Sequence, residues 1–161
     1  MDTNVCQIRK EPVSELTGIC DVLLVEDNPG DALLVQLGLQ RETTRKILIE
    51  NVVDGQEALD FLYRRDKYKD APRPKMVFLD LNLPKVDGRD VLKVVKQDPE
   101  LAAIPIVVLS TSESTIDIDS SYRYGANSYV VKPRELAETL AAISCCRVYW
   151  LETVRLQAGT S

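Results

Sequence analysis

The chain has 161 residues, enough for one domain and a tail. Lys and Arg total 20 against 25 Asp and Glu, so the net charge of −5 argues against a general nucleic-acid binder, which needs a basic face. Histidine is absent, which excludes a Ser-His-Asp triad, a Cys-His pair and any His-ligated zinc or haem site; histidine chemistry must come from a partner.

Residues 1–20 lack periodicity and read as a tail; they carry Glu11 and Glu15 and no apolar stretch of the signal-peptide kind. Val22–Val25 is a short continuous apolar run. Asn28-Pro29 then marks a helix start, an N-cap followed by proline at the first helical position, with Leu33, Leu34, Leu37 and Leu39 as its apolar residues. Ile47–Val53 reads as a strand nearer an edge, and Asp54-x-x-Glu57 as a capping-box start leading into Ala58, Leu59 and Leu62. Residues 63–75 interleave Tyr63 and Tyr68 with basic residues; Asp66, Asp70, Pro72 and Pro74 mark a solvated connection rather than a phosphate-binding patch. Met76–Leu79 is the next apolar run, followed by a helix from Asp87 to Pro99. Ile106–Leu109 precedes a polar helix over Thr115–Tyr124 closed by Gly125. Tyr129–Val131 precedes the longest helix, Arg134 to about Arg155, with Leu136, Leu140, Ile143, Trp150 and Val154 near one stripe. Residues 157–161 read as a disordered end.

Apolar runs this continuous suit strands covered on both faces, and strict strand–helix alternation predicts a parallel sheet with right-handed crossovers. Cys6, Cys20, Cys145 and Cys146 form no C-x-x-C, which argues against zinc and thioredoxin-like chemistry. No apolar run approaches the roughly 20 residues of a membrane helix. A reduced cytoplasmic protein with neither nucleic-acid nor membrane contact is the expectation.

The residues that end the strands carry the chemistry. The first run ends in Glu26-Asp27, the third strand in Asp80, the fourth in Ser110-Thr111 and the fifth in Lys132-Pro133. Open α/β sheets bind ligands outside the carboxyl ends of their strands, so three carboxylates, a hydroxyl and an ammonium meet at one edge. Clustered carboxylates repel, and a divalent cation relieves the repulsion; oxygen ligands alone select Mg²⁺, Mn²⁺ or Ca²⁺. A carboxylate beside such a cation can attack phosphorus, with Lys132 neutralising phosphoryl charge and Ser110 donating a hydrogen bond. No glycine-rich nucleotide cradle occurs.

These residues resemble the receiver domain of two-component response regulators. The matching stretches are LLVEDNPGD at 23–31, VVDGQEALDFL at 52–62, MVFLDLNLPKVDGRDVL at 76–92, IPIVVLSTSES at 104–114 and GANSYVVKP at 125–133. The separations of 30 residues from Asp80 to Ser110 and 22 from Ser110 to Lys132 also fit. The resemblance implies a doubly wound, flavodoxin-like α/β fold: five parallel strands in order 2-1-3-4-5, alternating with five helices, the last extended. It implies a receiver over 21–148, preceded by the tail and followed by an extension over 149–161. Asp80 would be the phosphoacceptor, and Asp27 would ligate Mg²⁺ or Mn²⁺ directly. Glu26 would act through a bound water and Asn82 through its backbone carbonyl. Ser110 would be the switch hydroxyl and Tyr129 the rotating aromatic. Lys132 would contact the phosphoryl group, and the Lys132–Pro133 bond would be cis. YWLETVRL at 149–156 further resembles cyanobacterial phytochrome-associated response regulators.

The implied function is acceptance of phosphate from a sensor histidine kinase, a phytochrome by the subgroup resemblance. Phosphotransfer and dephosphorylation would be self-catalysed, without turnover of a small-molecule substrate. A DNA-binding output domain does not fit the 28 residues after Pro133. Output would pass through partner contact or a homodimer built on the fourth and fifth helices, the fifth strand and the extension, where Val148, Tyr149, Trp150, Leu151, Val154 and Leu156 are apolar. The alternatives are an Mg²⁺-dependent aspartate-nucleophile phosphatase and a binding-only receiver-like module. The phosphatase lacks its second acid, because Asn82 stands two residues after Asp80; Asp117 and Asp119 form D-x-D only within a polar helix. Intact Asp80, Lys132 and acidic pair disfavour the binding-only module.

Overall fold

The structure is a computed structural model describing residues 18–157; the expected N-terminal tail lies outside them apart from its last residues, as does the end of the C-terminal tail beyond Gln157. Strands β1 (Cys20–Val25), β2 (Ile49–Val52), β3 (Pro74–Leu79), β4 (Ile106–Ser110) and β5 (Ser128–Val131) alternate with helices α1 (Pro29–Gln40), α2 (Gly55–Leu62), α3 (Gly88–Gln97), α4 (Thr115–Arg123) and α5 (Leu136–Arg147). All neighbouring strands pair in parallel, in the order β2-β1-β3-β4-β5. The order places Ile49–Val52 at an edge, as its weaker alternation predicts.

Alternate residues of each central strand feed two cores. Leu23, Val25, Val77, Leu79 and Val108 face α2 and α3, meeting Phe61, Leu62, Val91 and Val95. Val22, Leu24, Met76, Phe78 and Val107 face α1 and α5, meeting Val35, Leu39 and Ile143. Burial of this depth on both faces explains the uninterrupted apolar runs. Each fully buried side chain of this size contributes about 1.5–3 kcal/mol of hydrophobic stabilisation.

Helix starts follow their predicted caps. The Asn28 side chain accepts from the Asp31 amide, Asp54 from Glu57 and Asp87 from Arg89. The Glu57 carboxylate in turn accepts from the Val53 amide at 3.2 Å. Gly125, at φ +100°, lies just beyond α4.

Two helix faces differ from expectation. In α1 the buried residues are Ala32, Val35, Gly38 and Leu39, while Leu33 and Leu37 are half exposed. The reason is close contact with α5: a Cβ on Gly38 would sit 2.7 Å from the Ile143 Cβ, so the small-residue face turns inward. The last helix does not run unbroken to Arg155. After Arg147 the chain widens into a π-helical segment, Val148–Thr153, in which the Val154 amide bonds the Tyr149 carbonyl. The buried stripe is therefore Thr139, Ile143 and Arg147, and Leu136 is exposed. Trp150 and Leu151 pack on the chain's own core, whereas Val148 and Tyr149 face outward. Arg147 fastens the segment, bonding the Glu152 carboxylate and, at 3.1 Å, the Arg41 carbonyl.

Residues 63–73 are a connection, as expected, whereas Pro74 and Lys75 already belong to β3. Lys67 pairs with Glu57, Arg64 bonds the Ala71 carbonyl, Arg73 the Leu62 carbonyl, and Arg65 lies over the Tyr63 ring. Among the described residues no helix is long and apolar enough to cross a membrane.

Candidate functional site

Strand register brings the expected residues together. Val25 lies opposite Leu79, so Glu26-Asp27 and Asp80 leave the sheet side by side. Ser110 lies opposite Val131, and the Lys132 amide bonds the Ser110 carbonyl at 2.7 Å. Gly88 is required behind Asp80: a Cβ there would meet the Asp80 carbonyl oxygen at 2.1 Å. The start of α3 thus presses against the backbone that carries the carboxylate.

Carboxylate oxygens of Glu26, Asp27 and Asp80 lie within 4.8 Å of one another, close enough to share one cation. The donor set is all carboxylate oxygen, which fits a hard divalent ion. The Glu26 carboxylate is buried and already committed, accepting from the Asn28 amide at 3.0 Å and from Lys132 at 2.7 Å. Asp27 is exposed, and no hydrogen bond or ion pair among the described residues engages its carboxylate. The Asn82 amide donates to Asp80 Oδ1 at 3.0 Å, holding that carboxylate in place.

Lys132 is the hub. Its Nζ reaches Glu26 Oε2 at 2.7 Å, Asp31 Oδ2 at 2.9 Å and Asp80 Oδ2 at 3.1 Å. Burial works to lower its pKa, but the bonds to Glu26 and Asp31 and the charge of Asp80 outweigh burial and raise it. Glu26 titrates above the ordinary range: desolvation leads, the Asp80 charge adds, and Lys132 opposes them. Lys132 is therefore cationic at neutral pH. The described residues contain no cis peptide bond, so the Lys132–Pro133 bond is trans, against expectation. Trans is the lower-energy isomer by about 0.5–1 kcal/mol, and strand pairing here continues to Lys132 without the other isomer.

Ser110 and Tyr129 belong to a second network, which reaches away from the carboxylates. Ser110 is fully buried and its Oγ accepts from the Ser112 amide at 3.2 Å. Tyr129 OH donates to the Ser112 carbonyl at 2.9 Å, and the Tyr129 amide donates to Tyr122 OH on α4 at 3.0 Å. Ser112 Oγ donates to Asp117 at 2.6 Å, and Asp117 pairs with Arg89 of α3 at 2.7 Å. Bonds from Ser112 and then Arg89 hold the Asp117 carboxyl below its usual range. Asp117 is thus engaged in joining α4 to α3, within a helix and not at a strand end.

Sequence reasoning did not assign Asp31, Ser112, Asp117 or Arg89. Asp31 lay within the LLVEDNPGD stretch, four residues after Asp27, and that spacing was its only signal.

The model of the response regulator receiver domain matches residues 22–144. Response regulator Rcp1 of Synechocystis sp. is 44% identical over 138 residues, covering 86% of this chain and 93% of the relative. The structure resembles that of the Mn²⁺-bound form of Rcp1 with a TM-score of 0.81 and 41% identity, covering 86% of this chain and 99% of that one. It also resembles the phosphorylated cyanobacterial phytochrome response regulator RcpA, with a TM-score of 0.83 and 40% identity, covering 87% of this chain and 99% of that one.

Proposed function

This chain belongs to the response regulator receiver family, and from that premise we propose that it takes a phosphoryl group from a kinase phosphohistidine onto Asp80. The observation that carries the reading is the carboxylate of Asp80, held between an ammonium and two further carboxylates at the sheet edge. An Asp80 oxygen attacks phosphorus and forms the new O–P bond. The N–P bond of the donor breaks, and the donor imidazole keeps its electron pair. Lys132 meets the charge on the phosphoryl oxygens. A divalent cation held by Asp27, Asp80 and, through water, Glu26, with the Asn82 carbonyl, would offset repulsion between carboxylate and phosphoryl group. The Mn²⁺-bound relative supports a divalent ion, and we take Mg²⁺ as the ordinary one. The test is reductive trapping of the acyl phosphate after incubation with a phosphorylated histidine kinase. Label at Asp80 is expected; label at any other residue refutes the assignment.

Metal binding should rank the acidic pair. Asp27 has a free carboxylate, while that of Glu26 is shared with Lys132. Asp27→Ala is expected to weaken Mn²⁺ binding by more than the roughly tenfold that loss of an outer-shell partner costs, and Glu26→Ala by less. Calorimetric titration measures both, and equal losses reject the ranking.

The receiver spans 21–148, with the extension following; the resemblance to a phytochrome response regulator supports a phytochrome-type kinase as donor, and we place the reaction in the cytoplasm. Output passes through protein contact; the net charge of −5 disfavours nucleic acid. Phosphorylation draws Ser110 toward the phosphoryl group, which breaks its bond with the Ser112 amide and loosens the carbonyl that holds Tyr129. The face that responds is α4, β5, α5 and the π-helical segment after it, where Ile116, Tyr122, Leu136, Val148 and Tyr149 are exposed. This face supports a symmetric homodimer. Light scattering is expected to show dimer formation that Tyr149→Glu weakens, without the loss of core packing that truncation after Arg147 would cause. Ser110→Ala should still accept phosphate but lose most of the phosphate-dependent change in association. Unchanged phosphate dependence in that variant rejects the switch.

A further inference from the structure

Of the three carboxylates on the Lys132 ammonium, two belong to the group able to share a cation. Glu26 and Asp80 are in that group, and Asp31 is outside it. A bound cation therefore competes with Lys132 for Glu26 and Asp80, but not for Asp31. Asp31 is also fixed independently: it sits in the first turn of α1, and its amide is capped by Asn28 Oδ1 at 3.0 Å. Its side chain is two-fifths exposed, so it contacts both the solvent through which a phosphodonor arrives and the ammonium behind it.

We propose that Asp31 is a positioning residue for phosphoryl transfer. It tethers the Lys132 ammonium beside Asp80 once a cation has drawn Glu26 and Asp80 away, leaving the other ammonium donors for the phosphoryl oxygens. This rests on Asp80 as the acceptor. A charge-assisted bond aligns a long flexible side chain that otherwise loses two of its three partners on metal binding.

The alternative effect of the same carboxylate is repulsion of an anionic phosphodonor, and the two effects have opposite signs. Full-length chains are incubated with acetyl phosphate at saturating Mg²⁺, and the rate of acyl-phosphate formation is read. Asp31→Ala should be slower by roughly fivefold to tenfold, the worth of one charge-assisted bond discounted for exposure. Asp31→Asn, which keeps an acceptor without the charge, should be slower by less, and Asp31→Glu should recover most of the rate. In a Lys132→Ala background, Asp31→Ala should cost less than about twofold, because the tethered group is gone. Calorimetric Mn²⁺ affinity and thermal unfolding of Asp31→Ala should stay close to wild type.

An Asp31→Ala rate equal to or above wild type overturns the tether, as does an undiminished loss in the Lys132→Ala background. A collapse of Mn²⁺ affinity overturns it too, since Asp31 would then be a metal ligand. Asp80→Asn run alongside separates the two readings. If Asp80→Asn is labelled, the acceptor assignment fails; if Asp80→Asn is silent and Asp31→Ala behaves as wild type, only the tether fails.

Discussion

Asp80→Asn is expected to abolish phosphorylation while leaving the fold in place. The amide keeps the shape of the carboxylate, and its Oδ1 can still accept the Asn82 amide that Asp80 now receives at 3.0 Å. Lys132 keeps two carboxylate partners, Glu26 at 2.7 Å and Asp31 at 2.9 Å, so its charge is not left unpaired. Stability should therefore change by no more than about 1 kcal/mol. Chemistry should fail for two separate reasons. A neutral amide oxygen is a poor nucleophile toward phosphorus, and one of the three carboxylates that converge within 4.8 Å is neutralised. Removing a nucleophile typically lowers rate on the order of 10³-fold or more. Labelling by acetyl phosphate and by a phosphorylated kinase should both vanish, while circular dichroism and the unfolding midpoint hold. Labelling at the wild-type rate removes Asp80 from the centre of the mechanism; a collapsed fold would show instead that the carboxylate is structural.

The site was legible wherever its residues are strand terminators. A parallel sheet buried on both faces makes each strand a continuous apolar run, so the first polar residue marks the carboxyl edge. Glu26, Asp80, Ser110 and Lys132 were all visible for that reason. Asp31 was not, because its partner Lys132 is 101 residues away and helix-start acids are ordinary caps. The Arg89–Asp117 pair spans 28 residues between two helices and leaves no periodic trace. The C-terminal segment misled for a different reason: its apolar spacing continues past Arg147, but the π-helical turn there shifts which residues face inward. Trp150 packs inward, as its place on the stripe with Ile143 predicts, and Leu151 joins it in the second core instead of on the expected dimer surface. The Gly38–Ile143 approach turned the α1 face in a comparable way: Leu39 is buried as expected, but Leu33 and Leu37 are half exposed, and leucines outweigh a glycine in any hydrophobicity count.

Asp21 should make stability depend on pH. It precedes the first apolar run, is fully buried, and ties three parts of the chain to the amino edge of β1. Its carboxylate accepts from Arg45 at 2.9 Å, from Lys75 of β3 at 2.7 Å and from the Leu48 amide at 3.0 Å. Burial acts to raise its pKa, but Arg45, the Leu48 amide and Lys75 together outweigh burial and lower it. A carboxyl depressed in the folded state stabilises the protein above its unfolded pKa of about 3.9, and that contribution is lost as pH falls through the lower, folded value. Asp21→Asn removes the contribution at every pH. The amide also turns an N–H₂ donor toward at least one of three donors, leaving Arg45 or Lys75 without its acceptor. Both cations are about half exposed, so water recovers part of the loss. The expected cost at neutral pH is roughly 2–4 kcal/mol, below the full penalty for breaking a sealed buried pair. Urea unfolding at pH 7 should show that cost as a lower midpoint with an unchanged slope. Repeated at falling pH, the gap between wild type and variant should narrow below about pH 4, because only the wild type has a depressed carboxyl left to protonate. A gap that stays constant into strong acid, or a variant within about 0.5 kcal/mol of wild type at pH 7, would show that Asp21 does not hold β1 in place.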